Sequence, residues 1–211
     1  ECEVVVNCAG IWSRQLGRMA GVNIPVQPSY HQYFISEIVD GLARNVPTVR
    51  DPDNLTYFKE EVGGLAVGGY ELNPVAWNEA AVPESFSFQL FPEVYERFEP
   101  FMSGVLARFP ALESVGIKQW FNGLESFTED GMFVLGKAPE RDNFFVGTGF
   151  NAFGIASAGG AGKALSEWIT EGAPEFDLWS ADIRRFGRYT RDNQQLRLRA
   201  LEGQARHYTM S

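Results

Sequence analysis

Gly147-Thr148-Gly149-Phe150-Asn151-Ala152-Phe153-Gly154-Ile155-Ala156-Ser157-Ala158-Gly159-Gly160-Ala161-Gly162-Lys163 is the stretch on which the fold turns. It follows a short apolar strand, Asn143–Gly147, and holds six glycines between 147 and 162. Its opening fits a G-x-G-x-x-A pattern, but a dinucleotide fingerprint also needs a complete βαβ unit closed by an acidic residue. Here a helix is expected over about 160–171, stopped by Gly172 and Pro174, and Pro174-Glu175-Phe176-Asp177 follows with no second strand. The ordinary dinucleotide-binding reading therefore fails. What stands is physical. A glycine-rich turn lets the backbone approach something flat, and the helix behind it aims free N–H groups and a positive dipole end at that object. The plain alternative is a close helix–strand crossing with no ligand.

A second junction of the same kind lies near the start. Residues 3–8 read as a buried strand, and Cys8-Ala9-Gly10-Ile11-Trp12 turns it into a helix over about 12–20 that Gly21 stops. Two strand–glycine–helix junctions, about 130 residues of β-rich sequence apart, suggest two edges of one site. The segment between them would then form a separate substrate layer. In it, Tyr30–Glu37, Thr56–Glu61 and Leu65–Tyr70 carry strand signals, and Gly63-Gly64 sits where a tight hairpin belongs. Residues 91–109 repeat apolar side chains at helical spacing up to Pro110, and strands follow at about 115–127 and 131–137. That is the interleaved organisation of a flavin oxidoreductase, so the expected class is α+β: α/β flavin-domain segments flanking a mostly antiparallel β-sheet substrate domain. Its divisions are 1–22, 23–140, 141–178 and a C-terminal helix or linker, 179–211. The fold is expected to be incomplete, a fragment of a larger flavoprotein.

Composition narrows the partners. The chain has 211 residues with 18 basic and 27 acidic side chains, a net charge of −9, which disfavours nucleic acid and anionic membrane surfaces. No apolar run approaches the ~18 residues of a membrane-spanning helix. Two cysteines and two histidines, His31 and His207, do not make a zinc site, and no metal is expected. Cys2 and Cys8 read as reduced thiols of a cytosolic-type compartment. Residues 181–211 hold seven arginines and three acids, 7 − 3 = +4, so this tail is a helix docked on an acidic surface, a linker, or a solvated basic helix. The sequence opens almost inside a strand and ends without a cap, so we expect an internal piece of a longer polypeptide.

Several runs resemble the sarcosine and dimethylglycine dehydrogenase family, whose flavin half is D-amino-acid-oxidase-like. They are Val4–Trp12, Arg18–Val22, Tyr30-His31-Gln32-Tyr33, Val49-Arg50-Asp51, Gly68–Pro74 and Glu125–Gly131. Most specific is Gly149–Gly154 running into Ala158–Lys163, continued by Glu167-Trp168-Ile169 and Asp182–Phe186. The resemblance implies an FAD-dependent oxidoreductase acting on CH–NH donors, which removes a hydride equivalent from an N-methylated glycine. Sarcosine is favoured over dimethylglycine on Arg18–Val22 and Gly69–Pro74. It also implies an FAD-binding segment upstream, an aminomethyltransferase-like domain downstream, and tetrahydrofolate as a possible acceptor of the one-carbon unit. The location would be cytoplasmic in a bacterium and the mitochondrial matrix in a eukaryote.

The same resemblance assigns residues. Ala9, Gly10 and Trp12 match a junction lining the flavin domain. Gly149, Phe150, Asn151, Ala152, Phe153, Gly154 and Ile155 match the loop beside the flavin ring. His31 and Tyr57 match a histidine and tyrosine that face the flavin from the substrate sheet and serve the chemistry. Monomeric sarcosine oxidases use a lysine of the glycine-rich segment for the substrate carboxylate, but that position falls on Ala156, not Lys163. Arg50, Tyr33 and upstream residues remain open for that task. One branch of the family is a regulatory subunit of pyruvate dehydrogenase phosphatase, so a regulatory pseudoenzyme is the alternative. This fragment by itself is expected to be inactive.

Overall fold

The computed structural model describes residues 1–79 and 81–207, which form two compact units. One comprises 1–29, 75–79, 81–85 and 124–204; the other comprises 30–74, 86–123 and 205–207.

The first unit is built on a three-stranded sheet, β1 (Val5–Asn7), β8 (Phe144–Thr148) and β7 (Val134–Lys137), in the order β1-β8-β7. β1 runs parallel to β8, with Val5 opposite Phe144 and Asn7 opposite Val146; β7 runs antiparallel to β8. Alternation along β8 sends its side chains to opposite faces. Phe144 and Val146 join Val22, Ile24, Val26 and Val134 on one side, while Phe145 joins Leu135, Ala161, Ala164 and Leu165 on the other. The second group belongs partly to α3 (Gly154–Glu171), whose end is set by Gly172 in the left-handed region at φ 86°. The glycine-rich turn is thus shorter than the sequence suggested, and the helix begins six residues earlier than the expected 160. Glycine weakens a helix by up to about 1 kcal/mol per residue. Packing of Ala161, Ala164 and Leu165 onto the sheet supports the helix through Gly159, Gly160 and Gly162 nonetheless.

The basic tail is docked, not solvated. Within 181–204, Asp182 caps a short 3-10 turn by accepting from Arg184 N. Arg185 bridges to Asp130, Arg191 to Glu140, and the Tyr189 hydroxyl donates to Glu129 before α4 (Asn193–Ala205). Arg185 and Arg191 thus pair with acidic side chains outside the tail, while Arg184 and Arg199 pair with Asp182 and Glu202 within it. Lys163 is likewise occupied, by Glu167 and Glu175 at 2.9 and 2.6 Å. Cys2 and Cys8 are free thiols.

The second unit contains a five-stranded sheet in the order β3-β4-β5-β2-β6. Its strands are β2 (Gln27–Ser36), β3 (Val49–Asp51), β4 (Thr56–Glu61), β5 (Gly64–Gly69) and β6 (Ile117–Phe127). The outer ends of β2 and β6, 27–29 and 124–127, fall in the first unit. The expected hairpin joins β4 to β5, with Glu61 opposite Gly64. Its two-residue turn is Val62-Gly63, both with positive φ, 52° and 87°, the signature of a type I′ turn. Phe98, Phe101 and Val105 of α2 (Tyr95–Arg108) pack onto Phe34, Phe58, Leu65 and Val67. α2 starts four residues later than the expected 91. Phe91 N donates to Asn122 O, Asn122 Nδ2 donates to Pro92 O, and the Gln32 amide clasps both backbone groups of Val94. With those groups taken, the first turn of the apolar repeat stays extended.

Candidate functional site

The two strand–glycine junctions meet. Because β1 and β8 are parallel neighbours, both chains leave the sheet at the same edge. Buried Asn7 shapes the first turn, donating to the carbonyl of Ser13, first residue of α1 (Ser13–Met19), at 2.9 Å and accepting from Ala9 N at 3.2 Å. Ser13 Oγ donates to Thr148 Oγ1 at 2.8 Å, and Thr148 Oγ1 donates to Gly10 O at 3.3 Å, fastening one junction to the other. Between them opens a cavity of about 870 Å³. Ala9, Gly10, Trp12, Gly149, Phe150, Asn151, Ala152, Gly154 and Ile155, nine of the ten residues expected to hold a cofactor, line it. Phe153 does not, and is 41% exposed. The Trp12 indole N–H is anchored on Pro83 O.

The loop that carries the second junction is held in an uncommon shape. Gly149, Asn151 and Ala152 all have positive φ, at 65°, 48° and 72°. For Ala152 that costs of order 1 kcal/mol or more, so the surroundings must impose it. The Asn151 side chain does this, accepting from Thr128 N at 2.9 Å and donating to Gly149 O at 2.6 Å and Thr128 Oγ1 at 3.1 Å. At Gly149 a Cβ would press on Thr128 and Val26, so glycine is required for space as well as for φ. Past the loop, α3 turns Gly154, Ile155, Ala158, Ala161, Gly162 and Leu165 toward the cavity, positions that share one helical face.

Glu125, near the C-terminal end of β6, escaped the sequence reading although it stands in one of the runs that carry the family resemblance. It lines the cavity, and its Oε2 is buried with no hydrogen-bond partner among the described residues. Burial pushes its carboxyl up to about 7. The readable signal was a carboxylate inside an eleven-residue strand, Ile117–Phe127.

The ionised form of Glu125 is disfavoured in the folded chain. A carboxyl raised from 4.5 to about 7 leaves full stability below pH 4.5 and removes it as pH rises through 7. The Glu125→Gln variant has no charge to bury. It should therefore be more stable than the parent at pH 8, by roughly 3–3.5 kcal/mol at 1.36 kcal/mol per pH unit, and equal to it near pH 4.5. Urea unfolding at the two pH values checks this; a constant difference between parent and variant would contradict it.

His31 and Tyr57, the expected catalytic pair, stand together in the second unit. His31 Nε2 and Tyr57 Oη are 3.2 Å apart, and the His31 ring stacks on Tyr70 at 4.5 Å between centroids. Burial, reinforced by His207 and Arg97, pushes His31 down to about 3, so its imidazole is neutral at physiological pH. Tyr57 reaches it by lying across Gly68, its cross-strand neighbour on β5. A Cβ at Gly68 would overlap the Tyr57 ring. Gly68→Ala should therefore displace that ring at a cost of about 1–3 kcal/mol, the usual range for overpacking. The melting temperature should drop by about 2–12 °C at ~2–4 °C per kcal/mol; an unchanged melting curve would refute the contact. Of the candidates for a substrate carboxylate, Arg50 stands opposite Tyr57 in the β3–β4 register, and Tyr33 stacks on Phe121.

Comparison with known proteins agrees with this architecture. A family model described as FAD dependent oxidoreductase matches residues 1–168, and one described as FAD dependent oxidoreductase central domain matches 171–211. Mitochondrial sarcosine dehydrogenase of Mus musculus is 42% identical over 207 residues, 98% of this chain and 22% of that protein. The mitochondrial pyruvate dehydrogenase phosphatase regulatory subunit of the same species is 36% identical over 206 residues, 96% of this chain and 23% of that protein. Among solved structures, L-proline dehydrogenase from P. horikoshii superposes with a TM-score of 0.71 at 24% identity, over 87% of this chain and 46% of that one. This chain thus spans between a fifth and a quarter of the length of these curated relatives.

Proposed function

Since this chain belongs to the FAD dependent oxidoreductase family, we propose that it supplies the ring-facing part of a flavoenzyme that oxidises an N-methylated glycine, sarcosine ahead of dimethylglycine. The observation that carries the proposal is the cavity between the two fastened junctions. Its residues fit a flat ring system: Gly10, φ 54°, and Gly162 line it with nothing where a Cβ would stand. When bound, FAD supplies the acceptor for the hydride equivalent that the N-methyl carbon gives up as the substrate becomes an iminium.

The chain's own residues do the rest. Gly10 and Gly162 leave the backbone bare for close approach, and Trp12 and Phe150 offer apolar walls. The first-turn N–H groups and positive end of α3 favour an electron-rich neighbour by about 0.3–1 kcal/mol, up to ~2 kcal/mol where partly buried. Neutral His31 and the Tyr57 hydroxyl act as hydrogen-bonding partners of the substrate amine. Tetrahydrofolate and an aminomethyltransferase-like domain enter as the means of taking up the one-carbon unit. Sarcosine is preferred on the similarity to sarcosine dehydrogenase. The similarity to the phosphatase regulatory subunit supports the second reading, a regulatory relative without turnover.

One measurement separates them. The full-length polypeptide is purified and its visible absorbance recorded anaerobically, with sarcosine and then with dimethylglycine. Flavin bands that bleach with sarcosine at the lower concentration are expected. Bands that persist with both amines, or no flavin bands at all, would favour the regulatory reading.

A further inference from the structure

The cavity wall contains one group that the reading above does not use. Its lining is glycine, alanine and large apolar side chains, with Cys8, Ser126, Thr148, Asn151 and Glu125 as the polar or thiol exceptions. Thr148 and Asn151 are committed to hydrogen bonds within the protein. Glu125 is the single side chain among these lining residues that carries a carboxylate or a cation, and its Oε2 has no partner among the described residues. A carboxylate left unpaired in an apolar wall is costly, and it is relieved by a proton or by a cation with N–H to donate.

We propose that Glu125 binds the positively charged nitrogen of the substrate amine, requiring an alkylammonium with at least one N–H, and then takes its proton. This rests on the oxidoreductase reading above. The step balances: the N–H bond breaks, an O–H bond forms on Glu125, and the electron pair stays on nitrogen. The ion pair becomes a neutral amine beside a neutral carboxyl. The lone pair so released is what an N-methyl carbon needs beside it to give up hydride. Burial of Glu125 up to about 7 suits a group that holds and releases a proton near neutral pH. His31, pushed down to about 3, is too weak a base for that task. The proposal also sets a specificity rule: secondary and tertiary N-methyl amines are accepted, whereas a quaternary ammonium offers no proton and is refused.

The test uses the full-length flavoprotein after dithionite reduction, so that sarcosine binds without turning over. Calorimetry compares sarcosine, trimethylglycine and methoxyacetate, the last placing an ether oxygen where the amine stood. The parent protein should bind sarcosine at least about 10-fold more tightly than either analogue; below pH 7, where Glu125 of the free protein carries its own proton, the arriving ammonium should displace that proton to the buffer, a proton exchange visible between buffers of different ionisation enthalpy. Glu125→Gln should weaken sarcosine at least about 10-fold, leave methoxyacetate unchanged, abolish the proton exchange and keep one flavin per chain. A variant that binds sarcosine as tightly as the parent overturns the proposal. So does equal weakening of sarcosine and methoxyacetate, or loss of flavin, which would assign Glu125 to the cofactor. A parent protein with no flavin and no sarcosine binding overturns the oxidoreductase reading itself, and this proposal with it.

Discussion

Replacing His31 with alanine in the full-length flavoprotein is expected to slow substrate-driven flavin bleaching by about 10–10²-fold, the loss of one hydrogen bond to a partner that gains charge, about 1.5–3 kcal/mol. The structure changes how the residue exerts that effect. An imidazole pushed down to about 3 does not store a proton at neutral pH. It stays neutral and offers one hydrogen bond, with Tyr57 Oη 3.2 Å from its Nε2. Its loss leaves the Tyr57 hydroxyl without that partner and removes the ring stacked on Tyr70. The predicted split is a large fall in the limiting rate of anaerobic stopped-flow reduction with a small change in substrate binding. Tyr57→Phe keeps the ring and should cost less. Parental reduction rates in both variants, with weakened binding alone, would make the pair pocket walls and nothing more.

The second large effect is on stability. Asn151→Ala removes the acceptor for Thr128 N and the donor for Gly149 O, both in a buried loop. Each buried backbone group left unsatisfied costs about 1–3 kcal/mol, so the sum is roughly 2–6 kcal/mol. Alanine also tolerates the left-handed φ of 48° less well than asparagine does. A drop in melting temperature of about 10 °C is expected at ~2–4 °C per kcal/mol, with flavin retention in the full-length protein falling alongside. A drop under about 2 °C would show that water or relaxation replaces both hydrogen bonds.

Much of this was visible in the residues themselves. The two junctions were legible because glycine after an apolar strand has few other uses, and the parallel pairing of β1 with β8 brings them together as expected. The hairpin was legible from Gly63 for the same reason. What sequence spacing misjudged was where helices begin. At Tyr95 the side chains of Gln32 and Asn122, remote in sequence, take the backbone groups of the preceding turn. At Gly154 tertiary packing carries a helix through glycines that propensity alone would place in a loop. Glu125 was hidden for a different reason. A single carboxylate in a strand looks like an ordinary exposed charge until the neighbours that bury it are known.

The parallel pairing of β1 with β8 also bears on how the chain acquires its shape during synthesis. Val5 must find Phe144, and the two partners stand 144 − 5 = 139 positions apart in sequence. Non-local pairing of this kind is slow to form, because the entropy of closing the loop is lost before the contact returns anything. At a translation rate of about 5–20 residues per second, β1 waits roughly 7–28 s on the ribosome for its partner strand to be made. In that interval the second unit's β2–β5 and α2, which lie wholly between the two partners in sequence, can form first. The floor of the cavity is therefore among the last parts to close. Substitutions at Asn7, Ser13 or Thr148 should show their effects first as poor yield of folded protein in cells, before any loss is measurable in the molecules that do fold.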